Sequence, residues 1–182
     1  MDSYLILSDI HGSLPALRRA LQLKDALGLE RVLLLGDLLN YGPRNGLPPG
    51  LDAMGVAQTL ASLATAVTAV RGNCDSEVDQ MLLPFPIMAD YALVETGGRR
   101  LFLTHGHVYG EERWPAEGAD VLCCGHTHLW KLERLADGRV VCNAGSVTFP
   151  KGGNPPTLAC LRGGRLSVLR LDDGAELRSL TL

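Results

Sequence analysis

All five histidines of this 182-residue sequence lie in three short clusters, and two further clusters place an aspartate or an asparagine directly after a glycine. The clusters are Asp9-Ile10-His11, Gly36-Asp37, Gly72-Asn73-Cys74-Asp75, Thr104-His105-Gly106-His107 and Gly125-His126-Thr127-His128. One such cluster by itself is more often a turn or a helix cap than a binding site. The five together, each at the same kind of position, indicate a shared function.

Each cluster directly follows an apolar run that predicts a β-strand. The runs are 5–8, 32–35, 67–71, 101–103 and 121–124. Ligands of open α/β sheets bind just beyond the carboxyl ends of the strands, so five strand ends are expected to deliver these side chains to one rim. Because side chains two residues apart on an extended segment share a side, Asp9 should converge with His11, and His126 with His128.

The donor groups in these clusters are carboxylates, imidazoles and a carboxamide, without a well-placed pair of thiolates. Such mixed sites suit Mn²⁺, Zn²⁺, Fe²⁺ or Ni²⁺, whereas four imidazoles are too many for Mg²⁺ or Ca²⁺. Seven side chains are too many for one ion and suit two ions if one carboxylate bridges them. Two ions about 3.5–4 Å apart keep a net positive charge that attracts a phosphate, and they activate water for in-line attack.

The first half of the chain alternates strands and helices. Strands are predicted at 4–8, 31–35 and 66–71, with a first helix that begins after Ser13 as its N-cap and a second helix over 52–65. A third helix is predicted over 76–83. This βαβαβ order is typical of a mostly parallel, buried sheet.

The second half changes to strands joined by tight turns. Strands are predicted at 89–95, 99–103, 121–124, 129–135, 139–143, 158–162, 166–171 and 175–181, and most are paired as hairpins around glycine-containing turns. These hairpins predict a second sheet packed on the first, with helices outside. The expected fold is α/β: a single domain over 1–182, built as a four-layer α/β/β/α sandwich of two packed mixed sheets.

Composition narrows the class of protein. Hydrophobic residues make up 46% of the chain, and the net charge of −3 without a block of basic residues argues against stable nucleic-acid binding. The apolar runs are too short for a membrane span and the N-terminus lacks a signal-peptide pattern, so we expect a cytoplasmic protein without a membrane partner. Four cysteines in apolar segments are interpreted as core residues. Residues 85–88 could form core, a lid or the interface of a homo-oligomer.

The ordered motifs resemble those of a known family. The set DIHG, GDLLNYGPRN, GNCD, THGH and GHTH is similar to the calcineurin-like metallophosphoesterases. More narrowly, the stretches SDIHGSLPAL, RGNCDSEVDQMLLPFPI and GSVTFPKGGNP resemble the YfcE-type bacterial phosphodiesterases, over about residues 3–156. The resemblance implies hydrolysis of small phosphodiesters at a centre of two divalent ions, Mn²⁺ or a similar ion, with a metal-held hydroxide as the nucleophile.

The resemblance also implies a role for each ligand. Asp9, His11, Asp37 and His128 would hold the first ion, and Asp37, Asn73, His105 and His126 the second, with Asp37 as the bridge. Cys74 stands where many members of the wider superfamily have a histidine that assists the leaving group. A thiol is a poor general acid near neutral pH, so we expect a preference for activated aryl diesters.

Several further residues are open to two interpretations. His107 is either a substitute general acid or a residue that holds His105. Arg44 and Asn45, with Cys74, are the predicted substrate contacts, although Arg44 could instead brace its loop. Asp75 either hydrogen-bonds near the metal site or caps the helix that follows it.

Three alternative functions use the same motifs. A phosphomonoesterase or nucleotidase would use the same metal core, because that core recognises only the phosphate. A catalytically idle scaffold that binds a partner protein is disfavoured because every ligand position is filled. A nucleic-acid-processing role is disfavoured by the acidic balance of the chain.

Overall fold

A computed structural model describes residues 3–114 and 118–182. Within these ranges, eleven strands and three α-helices follow one another in an order close to the predicted one. They are β1 (Tyr4–Leu7), α1 (Leu14–Ala26), β2 (Arg31–Leu34), α2 (Ala53–Ala61), β3 (Val67–Ala69), α3 (Glu77–Leu82), β4 (Tyr91–Thr96), β5 (Arg99–Thr104), β6 (Val121–Cys124), β7 (Lys131–Arg134), β8 (Val140–Asn143), β9 (Thr157–Arg162), β10 (Arg165–Arg170) and β11 (Glu176–Thr181).

The strands form two mixed sheets. The first has the order β11-β10-β9-β1-β2-β3, in which β1, β2 and β3 run parallel and β9 lies antiparallel to β1. The second has the order β4-β5-β6-β8-β7, with β5, β6 and β8 parallel and a hairpin at each edge. The α/β class and the two mixed sheets are therefore confirmed.

One prediction about the sheets was wrong. The C-terminal strands β9, β10 and β11 do not extend the second sheet but return to the first, where β9 pairs with β1 through Tyr4 and Leu161. The reason lies in β9 itself, because five of its six residues are buried and a strand buried on both faces needs a central position. This pairing also makes the first sheet mixed rather than mostly parallel.

Alternating side chains divide the core into layers. Leu5 and Leu34 belong to the cluster that packs against the helices, whereas Ile6 and Leu33 face the second sheet. The outer face of the second sheet buries Phe102 and neighbouring residues in a third cluster. In the described residues this face is covered by a loop with the 3-10 turn Glu111–Arg113 rather than by an α-helix, which completes the four layers.

The helix boundaries differ from the predictions in three details. Ser13 occupies the N-cap position of α1, but its Oγ donates to the Pro49 carbonyl at 2.9 Å and leaves the helix uncapped. The helix α2 ends at Ala61 because Ser62 Oγ donates to the Thr59 carbonyl at 2.7 Å, which favours a turn over a further helical residue. The helix α3 is capped by Ser76, not by Asp75.

The segment 85–88 belongs to the core. Phe85 and Ile87 are buried in the cluster under the helices, and Met88 packs against it. The cysteines Cys123, Cys124, Cys142 and Cys160 are also buried, as expected for core residues. None of the helices in the described ranges is long and apolar enough to cross a membrane.

Candidate metal centre

The loops that follow β1, β2, β3, β5 and β6 meet at one rim, and donor atoms from these loops converge there. Around Asp9, the Nε2 atom of His128 lies 3.1 Å and that of His11 3.5 Å from Oδ1. The two Nε2 atoms are 3.4 Å apart. Asp9, His11 and His128 are all buried, so this group forms the deeper part of the rim.

A second group of donors surrounds Asp37. Its Oδ2 lies 3.5 Å from His105 Nε2 and 3.7 Å from His11 Nε2, so this one oxygen lies next to both groups. His105 Nε2 is also 3.1 Å from the side-chain oxygen of Asn73. Asp37 is therefore the carboxylate that joins the two halves of the site.

His126 lies beside the second group. Its ring centroid is 5.1 Å from that of His105, and its half-buried side chain lines the cleft above the rim. Its backbone N–H donates to Asp9 Oδ2 at 3.0 Å. All seven predicted ligands thus lie together, with His126 and His128 reaching different halves of the site.

Backbone carbonyls orient three of the imidazoles. The Nδ1 atoms of His11, His105 and His128 lie 2.8, 2.7 and 2.6 Å from the carbonyl oxygens of Asn40, Leu35 and Phe149. An Nδ1–H that donates to a carbonyl leaves Nε2 as a lone-pair donor aimed into the site. This is the arrangement that a metal-binding histidine requires.

The backbone of the site is strained. In the described ranges, the non-glycine residues with positive φ are five predicted ligands, at angles between 50° and 67°: Asp9, His11, Asp37, His126 and His128. Each such residue costs on the order of 1–3 kcal/mol, and such strain concentrates at functional sites. The ligands converge through these left-handed turns, so the expectation that extended alternation aligns them was wrong.

The acidic and imidazole groups shift one another's pKa. Burial opposes ionisation of Asp9, but the imidazoles of His11 and His128 outweigh it and lower the carboxyl pKa. Burial alone would lower the pKa of His105, yet the Asp37 carboxylate beside it raises that pKa to about 9. The site therefore combines ionised carboxylates with a histidine that must lose a proton before it can bind a metal ion.

A buried carboxylate oxygen of Asp9 also indicates that the site suits divalent cations. Asp9 Oδ1 is buried and has no hydrogen-bond partner, although the Nε2 atoms of His11 and His128 lie within 3.5 Å of it. A buried anionic oxygen in this state is costly unless a cation binds it. Ligand atoms of Asp9, His11 and His128, and separately of Asp9, Asp37 and His105, lie within 4.8 Å of one another, so each set could hold an ion.

Asp75 ties two of the ligand loops together. Its Oδ2 accepts hydrogen bonds from the backbone N–H groups of Asp37 at 2.8 Å and Gly72 at 2.7 Å, and its Oδ1 accepts one from Leu38 at 2.8 Å. Of the two interpretations offered by the sequence, the structure therefore supports the contact near the site and excludes the helix cap. Burial raises the pKa of Asp75, and these hydrogen bonds oppose that shift.

Two glycines permit the close approach of these loops. A Cβ atom on Gly72 would lie 2.1 Å from Asp37 Oδ1, and one on Gly125 would lie 1.8 Å from Ser8 Oγ. Neither position has room for a side chain. The glycines of the GNCD and GHTH motifs are therefore needed for packing against the ligands.

A cleft of about 680 Å³ opens above the rim. Arg44, Asn45, Cys74 and Lys151 line it together with ligand residues. Asn45 also braces its loop, because its Nδ2 donates to the Tyr41 carbonyl at 2.9 Å. Burial and then the charge of Asp37 raise the pKa of the Cys74 thiol to about 12, so the thiol is neutral.

His107 lies beside the ligands but does not line the cleft. Its ring centroid is 5.3 Å from that of His105 and 6.0 Å from that of His126. Its Nδ1 is buried without a hydrogen-bond partner, and burial followed by the charge of His105 lowers its pKa. His107 makes no hydrogen bond that would orient His105 through a ring nitrogen, since His105 Nδ1 is held by Leu35.

The sequence did not reveal several residues that support the site. Ser8 Oγ donates to Asp9 Oδ2 at 2.7 Å, and Ser146 Oγ donates to the Asp9 carbonyl at 3.0 Å. A buried serine directly before the first aspartate was a detectable signal. The carbonyls of Asn40 and Phe149 gave no signal in the sequence, because every residue has a backbone carbonyl whatever its side chain.

Known proteins match this chain closely. Residues 3–163 match the calcineurin-like phosphoesterase superfamily domain. The phosphodiesterase YfcE of Escherichia coli K12 is 51% identical over 175 residues, which cover 95% of this chain and 94% of that protein. The probable metallophosphoesterase YsnB of Bacillus subtilis is 36% identical over 90 residues, 45% of this chain and 48% of YsnB.

Solved structures agree with the sequence relatives. The structure of Yfce, described as a phosphoesterase from E. coli, superposes with a TM-score of 0.94 at 47% identity and covers 98% of each chain. A Vps29 structure from Cryptosporidium parvum, with a TM-score of 0.68 at 21% identity over 100% of this chain and 98% of that one, shares the fold. The resemblance seen in the motifs is thereby confirmed, and the chain belongs to the calcineurin-like phosphoesterase superfamily.

Proposed function

We propose that this chain is a metal-dependent phosphodiesterase that acts through two divalent ions bridged by Asp37. The observation that carries the proposal is the position of Asp37 Oδ2, within 3.7 Å of the Nε2 atoms of His11 and His105, one from each ligand group. The 51% identity to a protein named phosphodiesterase supports the same reaction.

The seven ligands divide between two ions. In this proposal Asp9, His11, Asp37 and His128 hold the first ion, and Asp37, Asn73, His105 and His126 hold the second. The mixture of imidazole, carboxylate and amide donors favours Mn²⁺, with Zn²⁺, Ni²⁺ or Fe²⁺ as the other candidates. When bound, the two ions supply Lewis acidity that neutralises the phosphate and lowers the pKa of a coordinated water.

The protein's own side chains position the substrate. Arg44 and Lys151 line the cleft and provide positive charge for a phosphate oxygen. They are the lysine and arginine residues in the described lining of the cleft. The neutral thiol of Cys74 lies beside Asn73, which leaves the departing oxygen without a strong acid from this position.

A substrate panel with metal analysis tests the proposal. Wild-type protein loaded with Mn²⁺ should contain about two ions per chain and hydrolyse phosphodiesters in preference to phosphomonoesters. Asp37→Ala should abolish hydrolysis and the binding of both ions. Asn73→Ala should lower the affinity for the second ion. The matched control Glu30→Ala removes an exposed carboxylate directly before β2, at the end of that strand opposite the ligand loop, and should behave like wild type.

The outcomes of this panel separate the alternatives. Preference for monoesters or nucleotides with the same metal requirement would assign the site to a phosphomonoesterase. Full activity in Asp37→Ala would refute the two-ion centre. Absence of hydrolysis despite full metal loading would favour a scaffold that binds a partner protein.

A further inference from the structure

A second cavity of about 460 Å³ adjoins the metal cleft and differs from it in chemistry. Most of its lining is apolar or aromatic: Leu39, Tyr41, Pro43, Leu51, Ala53 and Leu82. Leu51 and Leu82 expose about two fifths of their surface to solvent, at 41% and 40%. We call this cavity the side groove.

The side groove begins where the metal cleft ends. Asn40 and Pro43 line both cavities, so only the turn 40–43 lies between them. This turn is anchored at the metal centre, because the Asn40 carbonyl lies 2.8 Å from His11 Nδ1. A molecule whose phosphate lies in the cleft can therefore extend a substituent across the turn into the groove.

Two of the polar oxygens that line the side groove already accept hydrogen bonds from the protein. The Asp79 carboxylate accepts hydrogen bonds from the backbone N–H and the hydroxyl of Ser76, and Asn40 Oδ1 accepts one from the Gly42 N–H. The described lining contains no lysine or arginine, in contrast to the cleft with Arg44 and Lys151. The groove thus lacks the charge to bind a second phosphate and suits an uncharged apolar or aromatic group.

We propose that the side groove binds one ester substituent of the phosphodiester and so selects substrates with an aryl or other bulky apolar arm. This inference rests on the proposed function, and it adds the part of the substrate that the metal core does not recognise. Tyr41 offers a partly exposed ring for stacking, and Leu82 at the end of α3 adds apolar surface to the groove.

The exposed apolar side chains around the groove suggest one competing occupant, a second copy of the chain. Among the large hydrophobic side chains that the described structure leaves exposed, Leu47, Met54, Val78 and Met81 lie on the segments that border it. An exposed apolar patch can also bind a second copy of the chain. The substrate is preferred here because the groove adjoins the reacting phosphate, and the experiment includes the dimer as an outcome.

Two diesters with the same leaving group test the proposal. Bis(4-nitrophenyl) phosphate and methyl 4-nitrophenyl phosphate release the same phenolate and differ only in the remaining arm. We expect Leu82→Ser and Tyr41→Ala to lower the ratio of their kcat/KM values, diaryl over methyl, by about tenfold relative to wild type. The matched control Leu93→Ser removes an exposed leucine on β4 and should leave the ratio unchanged.

The results separate failure of the groove from failure of the proposed function. An unchanged ratio in both groove variants, with both diesters still hydrolysed, overturns the groove. A ratio that falls only together with a dimer-to-monomer change in sedimentation assigns the groove to a second copy and also overturns the proposal. If wild type hydrolyses neither diester, the proposed function fails and the groove assignment fails with it.

Discussion

At the scale of single residues, the site combines side chains, whose types predicted a metal centre, with backbone groups, whose contacts could not be predicted from the sequence. The sequence identified Asp9, Asp37 and the histidines because few other arrangements place such donors after successive strands. It could not predict which carbonyl orients each imidazole or that five ligands adopt left-handed backbone angles. Both depend on how distant loops meet, which no local pattern encodes.

Asp75 gives a prediction at this scale. Asparagine in its place has one acceptor oxygen where the carboxylate satisfies three N–H donors, so the loops of Asp37 and Asn73 should separate. We expect Asp75→Asn to weaken Mn²⁺ binding, measured by titration calorimetry, by about tenfold or more. The control Asp120→Asn alters a carboxylate that accepts from the Arg100 backbone away from the rim, and it should keep wild-type affinity.

The same experiment has an outcome that contradicts this role. A fall in the melting temperature of Asp75→Asn without any change in metal affinity would show that Asp75 stabilises the fold and does not position the ligands.

Cys74 leads to a second prediction. With a thiol pKa of about 12, it is a poor proton donor, so the rate should depend on the stability of the departing anion. We expect kcat/KM to fall steadily across methyl aryl phosphodiesters as the pKa of the leaving phenol rises. Equal kcat/KM values across several pKa units would indicate a general acid, for which His107 is the candidate.

At the scale of elements, each strand that enters the site ends in a loop that carries ligands, and glycines let these loops touch. The strands and their order along the chain were predictable because each apolar run is bounded by turn residues. The pairing of β9 with β1 was not predictable, because it joins segments more than 150 residues apart and hairpin patterns indicate only the pairing of neighbouring strands.

Gly72 provides the test at this scale. A methyl group there meets both the carboxylate and the backbone nitrogen of Asp37 at 2.1 and 2.2 Å, so the bridging ligand must move. We expect Gly72→Ala to lower kcat/KM about 100-fold, as a displacement near 1 Å can do. A Cβ atom on Gly110 would lie 3.4 Å from the Gly106 carbonyl oxygen, an ordinary contact, so Gly110→Ala should retain activity.

At the scale of the whole molecule, two sheets and their covering layers hold buried charges and strained turns at one edge. The layered architecture followed from the sequence, because strand and helix patterns imply faces that must be covered. The layer that covers the outer face of the second sheet could not be predicted, because the loop that includes Trp114 has no periodic pattern.

Stability should depend on pH in the metal-free protein. The pKa of His105 rises from 6.5 to about 9 on folding, so its proton stabilises the fold fully below pH 6.5, and this stability is lost as pH rises through about 9. We expect the melting temperature in chelator to fall over this range. Mn²⁺ should raise the melting temperature at pH 9, because it binds the deprotonated imidazole of His105.

The variant His105→Gln is the control for this effect. It cannot carry the proton, so its melting temperature should vary less between pH 6.5 and 9. The same slope in both proteins would mean that another group is responsible.

Anomalous diffraction from crystals soaked in Mn²⁺ tests the central claim most directly. We predict two manganese peaks about 3.5–4 Å apart, with the Asp37 carboxylate between them, Asp9, His11 and His128 around one ion, and Asn73, His105 and His126 around the other. A single peak, or two peaks that do not share Asp37, would contradict the account.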